Sequence, residues 1–214
     1  MGIHEEAERP RGLFTFERLG AFSDGLLAIV VTILVLSIDV PEHDFSRDGA
    51  LAFLAMTGHD ILIYMASFWL VAAYWMVHHS LFSFVRYVDR SLILLNFLFL
   101  FVTTLLPFTT KFKNTYPELS LAALTFGITH ILCGLTLFLL WRYIFRHPEL
   151  QCSPLNARVY KVLARRILVA CLAAFSASLL AYVDIRLATF LFPLVPLVYL
   201  SHLTNRKAKP TPAS

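Results

Sequence analysis

Five polar side chains interrupt the apolar segments in the first half of this 214-residue chain. Ser23 and Asp24 lie near the start of one segment, His78 and His79 near the end of the next, and Asn96 near the start of a third. Hydrocarbon penalises an unpaired polar side chain by a few kcal/mol, so such groups pair with one another or serve a transport path. A carboxylate, two imidazoles, an amide and a hydroxyl could relay protons, bind a metal ion or form a structural clasp.

Spacing separates these three kinds of chemistry. Neighbouring residues on a helix point about 100° apart, so His78 and His79 cannot face one ion together. No second ligand pair is apparent, and we predict neither a metal or haem site nor any cofactor. The favoured hypothesis is a clasp in which Ser23 and Asp24 bond to His78 or His79 and to Asn96. A proton relay through Asp24 and a histidine remains the alternative.

The elements that position these residues are predicted to be membrane-spanning helices. Hydrophobic residues make up 58% of the chain, and long apolar runs of about 20 residues can cross a bilayer. The fold class predicted is an all-α, polytopic membrane protein with six transmembrane helices. The six spans are predicted at residues 18–38, 50–77, 91–110, 117–141, 165–183 and 187–203. The remaining divisions are a cytoplasmic tail at 1–17, a channel domain at 18–203 and a disordered tail at 204–214.

The orientation follows from the basic residues. Most of the 18 lysines and arginines fall in the tails and in the second and fourth connections between spans, which places both termini in the cytoplasm. Because these charges separate apolar spans, they indicate topology and not a nucleic-acid surface. Four of the polar residues lie six to eight positions from Arg18, Arg86 or Arg90, which mark the inner side: Asp24, His78, His79 and Asn96. They are therefore predicted at one depth, roughly 9–12 Å from those charges at about 1.5 Å per residue.

The first span has one smooth face. At 100° per residue a strip about 100° wide contains a glycine, one hydroxyl and three aliphatic side chains: Gly25, Ile29, Thr32, Ile33 and Leu36. Asp24 points roughly away from this strip, towards the helices behind. The strip suits the lining of a narrow conduit, whereas lipid contact or ordinary core packing is the alternative explanation.

The same residues carry a family resemblance. The pattern Arg18-x-x-x-Phe22-Ser23-Asp24-Gly25 resembles the first-helix signature of the transmembrane protein 175 family of lysosomal potassium channels, which has bacterial six-helix members. Residues 67–82 are similar to that family's second helix, and residues 94–96 and 106–108 to its third.

The resemblance implies a homotetrameric, potassium-selective channel whose pore is lined by the first helix. It assigns the hydrophobic constriction to Ile29, a hydroxyl ring near permeating cations to Thr32, and a further hydrophobic ring to Leu36. It assigns the family's packing network to Arg18, Phe22, Ser23 and Asp24. Ala28 stands where some animal members carry serine, a departure that bears on selectivity.

We therefore predict a passive potassium channel in the bacterial plasma membrane, with potassium ions and the lipid bilayer as partners. Without a TVGYG-like loop, selectivity cannot come from a carbonyl cage, and acidic Asp39 at the outer mouth is expected to concentrate cations. No nucleophile, base or metal ligands converge to indicate an enzyme. The alternative function is a proton-coupled secondary transporter using Asp24 and His78 or His79, although the paired halves typical of that class are not apparent.

Overall fold

Helices make up most of the described part of the chain. The computed structural model describes residues 15–38, 47–180 and 183, with all of their side chains except those of 47–56, 59 and 177. The helices are α1 (Phe16–Ile33, continued by a 3-10 turn, Leu34–Ser37), α2 (Arg47–Phe82), α3 (Arg90–Thr103), α4 (Leu106–Thr115), α5 (Ser120–Arg146) and α6 (Ala157–Leu180). Over these residues an isolated bridge is the only β-type pairing, which confirms the predicted all-α class.

Five stretches in the described residues are long and apolar enough to cross a membrane. They are Phe16–Ser37, Asp60–Phe82, Arg90–Thr115, Ser120–Arg146 and Ala157–Leu180. Each corresponds to one of the first five predicted spans. The sixth predicted span, 187–203, lies outside the described residues, as does the predicted tail at 204–214.

Two predicted boundaries on the side that was predicted to be cytoplasmic are wrong. The basic connection predicted at 142–163 is largely helical, because α5 continues to Arg146 and α6 already begins at Ala157. Arg158 and Lys161 are exposed on the first turns of α6. An exposed helical extension carries the same charge pattern as a loop, so charge alone placed the start of this helix eight residues too late. In the same way α2 continues to Phe82, beyond the predicted end at 77.

The third span consists of two consecutive helices. The α-helical pattern breaks at Thr104 and Leu105, and Pro107 occupies the first turn of α4. Proline is tolerated there because the first N–H groups of a helix have no intrahelical acceptor. The break therefore costs little, and the polypeptide continues through Arg90–Thr115 as one span.

One end of the bundle is fixed by contacts between two connections. Val85 and Gln151 form the isolated antiparallel bridge, and the Arg86 N–H donates to the Leu150 carbonyl at 2.7 Å. The α2–α3 and α5–α6 connections therefore lie at the same end, as consecutive crossings require. This is also the end at which α1 starts, if each helix crosses once.

The core lies around α5, which packs between α3 and α6. Trp141 is fully buried there, and its Nε1 donates to the Tyr160 carbonyl of α6 at 3.1 Å. Further along, a Cβ atom added to Gly127 would lie 1.4 Å from Ser178 Oγ, so α5 and α6 approach closely only because residue 127 has no side chain.

Candidate functional site

The strip predicted on the first helix is exposed in the single chain. Ile29 is 58% exposed and Leu36 is 72% exposed, large values for aliphatic side chains. All five members of the strip are exposed: Gly25, Ile29, Thr32, Ile33 and Leu36. The opposite side of the helix is buried through Leu19, Ser23, Leu27, Val30 and Leu34. An apolar face of this kind needs lipid or a further protein surface to cover it.

The C-terminal end of this helix changes geometry. From Leu34 to Ser37 the backbone is a 3-10 helix, in which residues three apart eclipse one another. If this turn is ideal, Leu36 lies almost directly beyond Ile33, by about 6 Å at roughly 2.0 Å per residue. The two side chains then form consecutive levels of one apolar column.

Thr32 supplies the polar atom of this face. Its Oγ1 donates to the Ile29 carbonyl, one turn earlier, at 2.8 Å. A hydroxyl has one hydrogen and two acceptor lone pairs, so this bond leaves the lone pairs directed outward. The exposed side of α1 therefore offers an oxygen acceptor between apolar levels.

Three buried residues join the first three helices in a hydrogen-bonded chain. Asn96 Nδ2 of α3 donates to Ser23 Oγ of α1 at 2.9 Å, and Asn96 Oδ1 lies 2.8 Å from His78 Nε2 of α2. Since Oδ1 can only accept, the proton of this bond belongs to His78 Nε2. Ser23 Oγ in turn donates to the Leu19 carbonyl at 2.8 Å. The structure therefore brings together three residues of the predicted clasp at one depth: Ser23, His78 and Asn96.

The predicted bonds of Asp24 to a histidine or to Asn96 are wrong. Its hydrogen-bond partner among the described residues is neither histidine nor Asn96: Asp24 Oδ1 accepts from Trp75 Nε1 at 2.8 Å. The Trp75 ring also stacks on His79, with centroids 5.5 Å apart. The position of Trp75 four residues before His79, on the same face of α2, is the signal that could have identified it as a partner.

Asp24 and both histidines also border a common cavity of about 430 Å³. It opens between the first turns of α1 and the last turns of α2, and Glu17 also lines it. Within the described residues no three His, Cys, Asp or Glu side chains are grouped to hold a metal ion.

The remaining predicted residues lie at the periphery. Phe22 is half exposed and packs edge-to-face on Phe97 of α3, with centroids 5.7 Å apart. Arg18 is exposed on the first turn of α1, where its backbone N–H donates to Thr15 Oγ1. The predicted outer-mouth residue, Asp39, lies outside the described residues.

Sequence reasoning missed a polar contact at the other end of α1. Asn114, at the end of α4, donates from Nδ2 to the Ser37 carbonyl at 3.1 Å. Its neighbour Lys113 is buried and donates from Nζ to the Pro117 carbonyl at 2.7 Å. The Asn114 bond joins the end of α4 to the 3-10 turn of α1, and the Lys113 bond joins the same end to the connection that follows.

The same architecture occurs in a solved structure. The crystal structure of a lysosomal potassium-selective channel TMEM175 homolog from Chamaesiphon minutus superposes with a TM-score of 0.76 at 23% identity, over 87% of this chain and 96% of that one. The fold and the one-sided first helix therefore define a multi-pass helical membrane protein with a channel fold.

Sequence comparison then gives the family. The model described as endosomal/lysosomal potassium channel TMEM175 matches residues 18–107, which include most of α1 and all of α2 and α3. A potassium channel from Streptomyces collinus is 33% identical over 62% of this chain and 66% of its own length. The chain belongs to the TMEM175 family, whose members are ion channels and not enzymes.

Vertebrate relatives are longer. The rat endosomal/lysosomal proton channel TMEM175 is 29% identical over 91% of this chain. The match covers 40% of the rat protein, so this chain spans about two-fifths of the length of that relative.

Proposed function

We propose that this chain is the subunit of a passive potassium channel in the bacterial plasma membrane, with four copies placing α1 around a shared axis. The observation that carries the proposal is the one-sided packing of α1. Its back is buried against the subunit, while an aliphatic strip with one hydroxyl is left uncovered. Copies arranged around an axis would cover the flanks of this strip and leave its centre facing a pore.

In such a pore Ile29 forms the main constriction. Four aliphatic side chains at one level make a narrow apolar ring, and such rings close channels by excluding water. Thr32 lies one turn further on, where outward lone pairs of its Oγ1 can replace part of the hydration shell of a cation. Ile33 and Leu36 continue the apolar lining, and Asp39 follows at the predicted outer mouth.

Potassium as the permeant ion is supported by bacterial relatives of similar length. The Streptomyces protein and a relative from Chryseobacterium, 36% identical over 60% of this chain, are both named potassium channels. Since the described residues contain no coordinating carbonyl loop, the hydroxyl ring and the width of the constriction are left to provide selectivity.

A second candidate function is proton passage or proton-coupled transport. The observation favouring it is the cavity that Asp24, His78 and His79 line together. The vertebrate relatives are named proton channels. Asp24 and the histidines form no direct hydrogen bond in the described structure, so a relay would need water between them.

Recording from purified protein in lipid bilayers tests both candidates. With unequal potassium concentrations on the two sides and sodium making up the difference, a potassium channel gives a zero-current voltage near the potassium equilibrium potential. A voltage that follows an imposed pH difference instead would replace the first candidate with the second. A voltage that follows neither gradient would contradict both.

The pore lining is tested by Ile29→Asn. A polar ring holds water in the constriction, and lowering the barrier by about 1.4 kcal/mol raises the current about tenfold. The matched control is Leu172→Asn on α6, since Leu172 is 63% exposed and also lies within a candidate span. Equal currents from the two variants, with normal assembly of both, would remove Ile29 from the pore.

A further inference from the structure

The last turn of α1 has a carbonyl group that its own helix cannot satisfy. In an α-helix the Ser37 carbonyl would accept from the N–H of residue 41. Residue 41 is proline, which has no N–H. The backbone at Ile38 is already extended, with φ −82° and ψ 121°, so the helix ends there. Ser37 is itself buried, and a buried carbonyl without a donor costs about 1–3 kcal/mol.

Asn114 of α4 supplies the missing donor. Its Nδ2 lies 3.1 Å from the Ser37 carbonyl oxygen, and its side chain is buried as well. The contact depends on this N–H alone, because Asn114 Oδ1 is buried without a partner among the described residues. Rotating the amide by 180° would set two acceptors against each other, so the observed orientation is the one that satisfies the carbonyl.

The bond acts on a segment that the proposed function uses. The 3-10 turn that Asn114 holds contains Leu36, and it determines where that side chain stands relative to Ile33. We propose that Asn114 is a positioning residue of the channel: its amide, through the Ser37 carbonyl, keeps the last turn of α1 in 3-10 form and thereby fixes the outer hydrophobic ring at Leu36. This inference rests on the proposed pore lining.

Cadmium block of introduced cysteines measures the position of the ring directly. In a Cys152→Ser background, which removes the exposed native thiol, Leu36→Cys and Ile29→Cys each place one thiol per subunit on the strip. Cadmium binding requires these sulfur atoms to converge. Removing a side chain that orients a metal ligand typically weakens metal affinity about 10- to 100-fold. The Cys152→Ser parent, without either introduced cysteine, must be insensitive to cadmium.

Asn114→Ala and the isosteric Asn114→Asp are then added to each cysteine variant. Both remove the donated N–H, and the aspartate keeps the side-chain volume if the alanine variant fails to assemble. Cadmium block of Leu36→Cys is expected to weaken about tenfold or more. Block of Ile29→Cys, two turns away, should be unchanged. Thr109→Val on the same helix is the control, because among the described residues the buried Thr109 hydroxyl bonds only to the Leu106 carbonyl within α4.

The outcomes separate the two proposals. Block of Ile29→Cys together with unaltered block of Leu36→Cys in the Asn114 variants would overturn the positioning role and leave the pore lining in place. Equal weakening by Thr109→Val would also overturn it, since any damage to α4 would then suffice. Absence of cadmium block at both positions in the presence of Asn114 would contradict the pore lining, and the inference with it.

Discussion

Asn96 is the residue whose removal should loosen the attachment of α1 most. Replacing it by leucine keeps roughly the same volume but removes both bonds, at 2.9 Å to Ser23 and at 2.8 Å to His78. All three residues are buried. The His78 N–H would be left without an acceptor, at a cost of about 1–3 kcal/mol. Ser23 would lose less, because its hydroxyl still donates to the Leu19 carbonyl.

Measurements in membrane proteins lower the expected loss of stability. Interhelical hydrogen bonds there contribute about 0.6 kcal/mol on average and about 1.7 kcal/mol at most. With one unsatisfied donor, Asn96→Leu should therefore reduce the free energy of unfolding by about 1–2 kcal/mol. Ser23→Ala should cost less, and the two substitutions together should show a coupling energy of roughly 0.6 kcal/mol or more.

The assay is reversible denaturant unfolding of the purified protein in mixed micelles, with a double-mutant cycle for Ser23 and Asn96. Thr136→Val is the control, because the Thr136 hydroxyl donates only to carbonyls of its own helix, α5. If Asn96→Leu costs no more than this control, or if the two single effects add without coupling, the clasp does not hold α1 in place.

Two further substitutions test the packing and the capping of the other helices. Gly127→Ala should destabilise the protein by about 1–3 kcal/mol through overpacking, since its Cβ would lie 1.4 Å from Ser178 Oγ. A second change, Ser178→Gly, should restore part of this in thermal unfolding. Gly58→Ala, where a Cβ meets nothing within 4 Å, should not destabilise. Asp89→Ala removes the N-cap of α3 and the acceptor for the Tyr143 hydroxyl at 2.5 Å. It should cost about 1–2 kcal/mol in the same assay, and a melting temperature equal to that of the parent would contradict the capping role.

The shared depth of the polar residues could be predicted from sequence, but their pairing could not. Counting from the inner charges placed Ser23, His78 and Asn96 at one level, and they form one hydrogen-bonded chain. Asp24 lies at the same level, yet its donor is Trp75. Counting residues gives depth, whereas the choice among several donors at one depth depends on side-chain direction, which follows from how α2 is rotated against α1.

The contact between Asn114 and Ser37 could not be predicted from the sequence, for a different reason. Asn114 and Ser37 are 77 residues apart in the chain. Pro41 does show that the Ser37 carbonyl loses its intrahelical donor. Nothing local indicates which side chain replaces that donor, because this depends on how α4 packs against the 3-10 turn of α1.

The bridge between Val85 and Gln151 makes the α2–α3 and α5–α6 connections a single unit. Backbone bonds link the two connections. The Gln151 side chain also holds the second connection in shape: its Nε2 donates to the Ile144 carbonyl at 2.6 Å, and its Oε1 accepts from the Leu155 N–H. Neither connection can lengthen or shorten without displacing the other. In chimeras between relatives the two connections therefore have to be exchanged as a pair, and insertions in one of them should be inherited together with matching changes in the other.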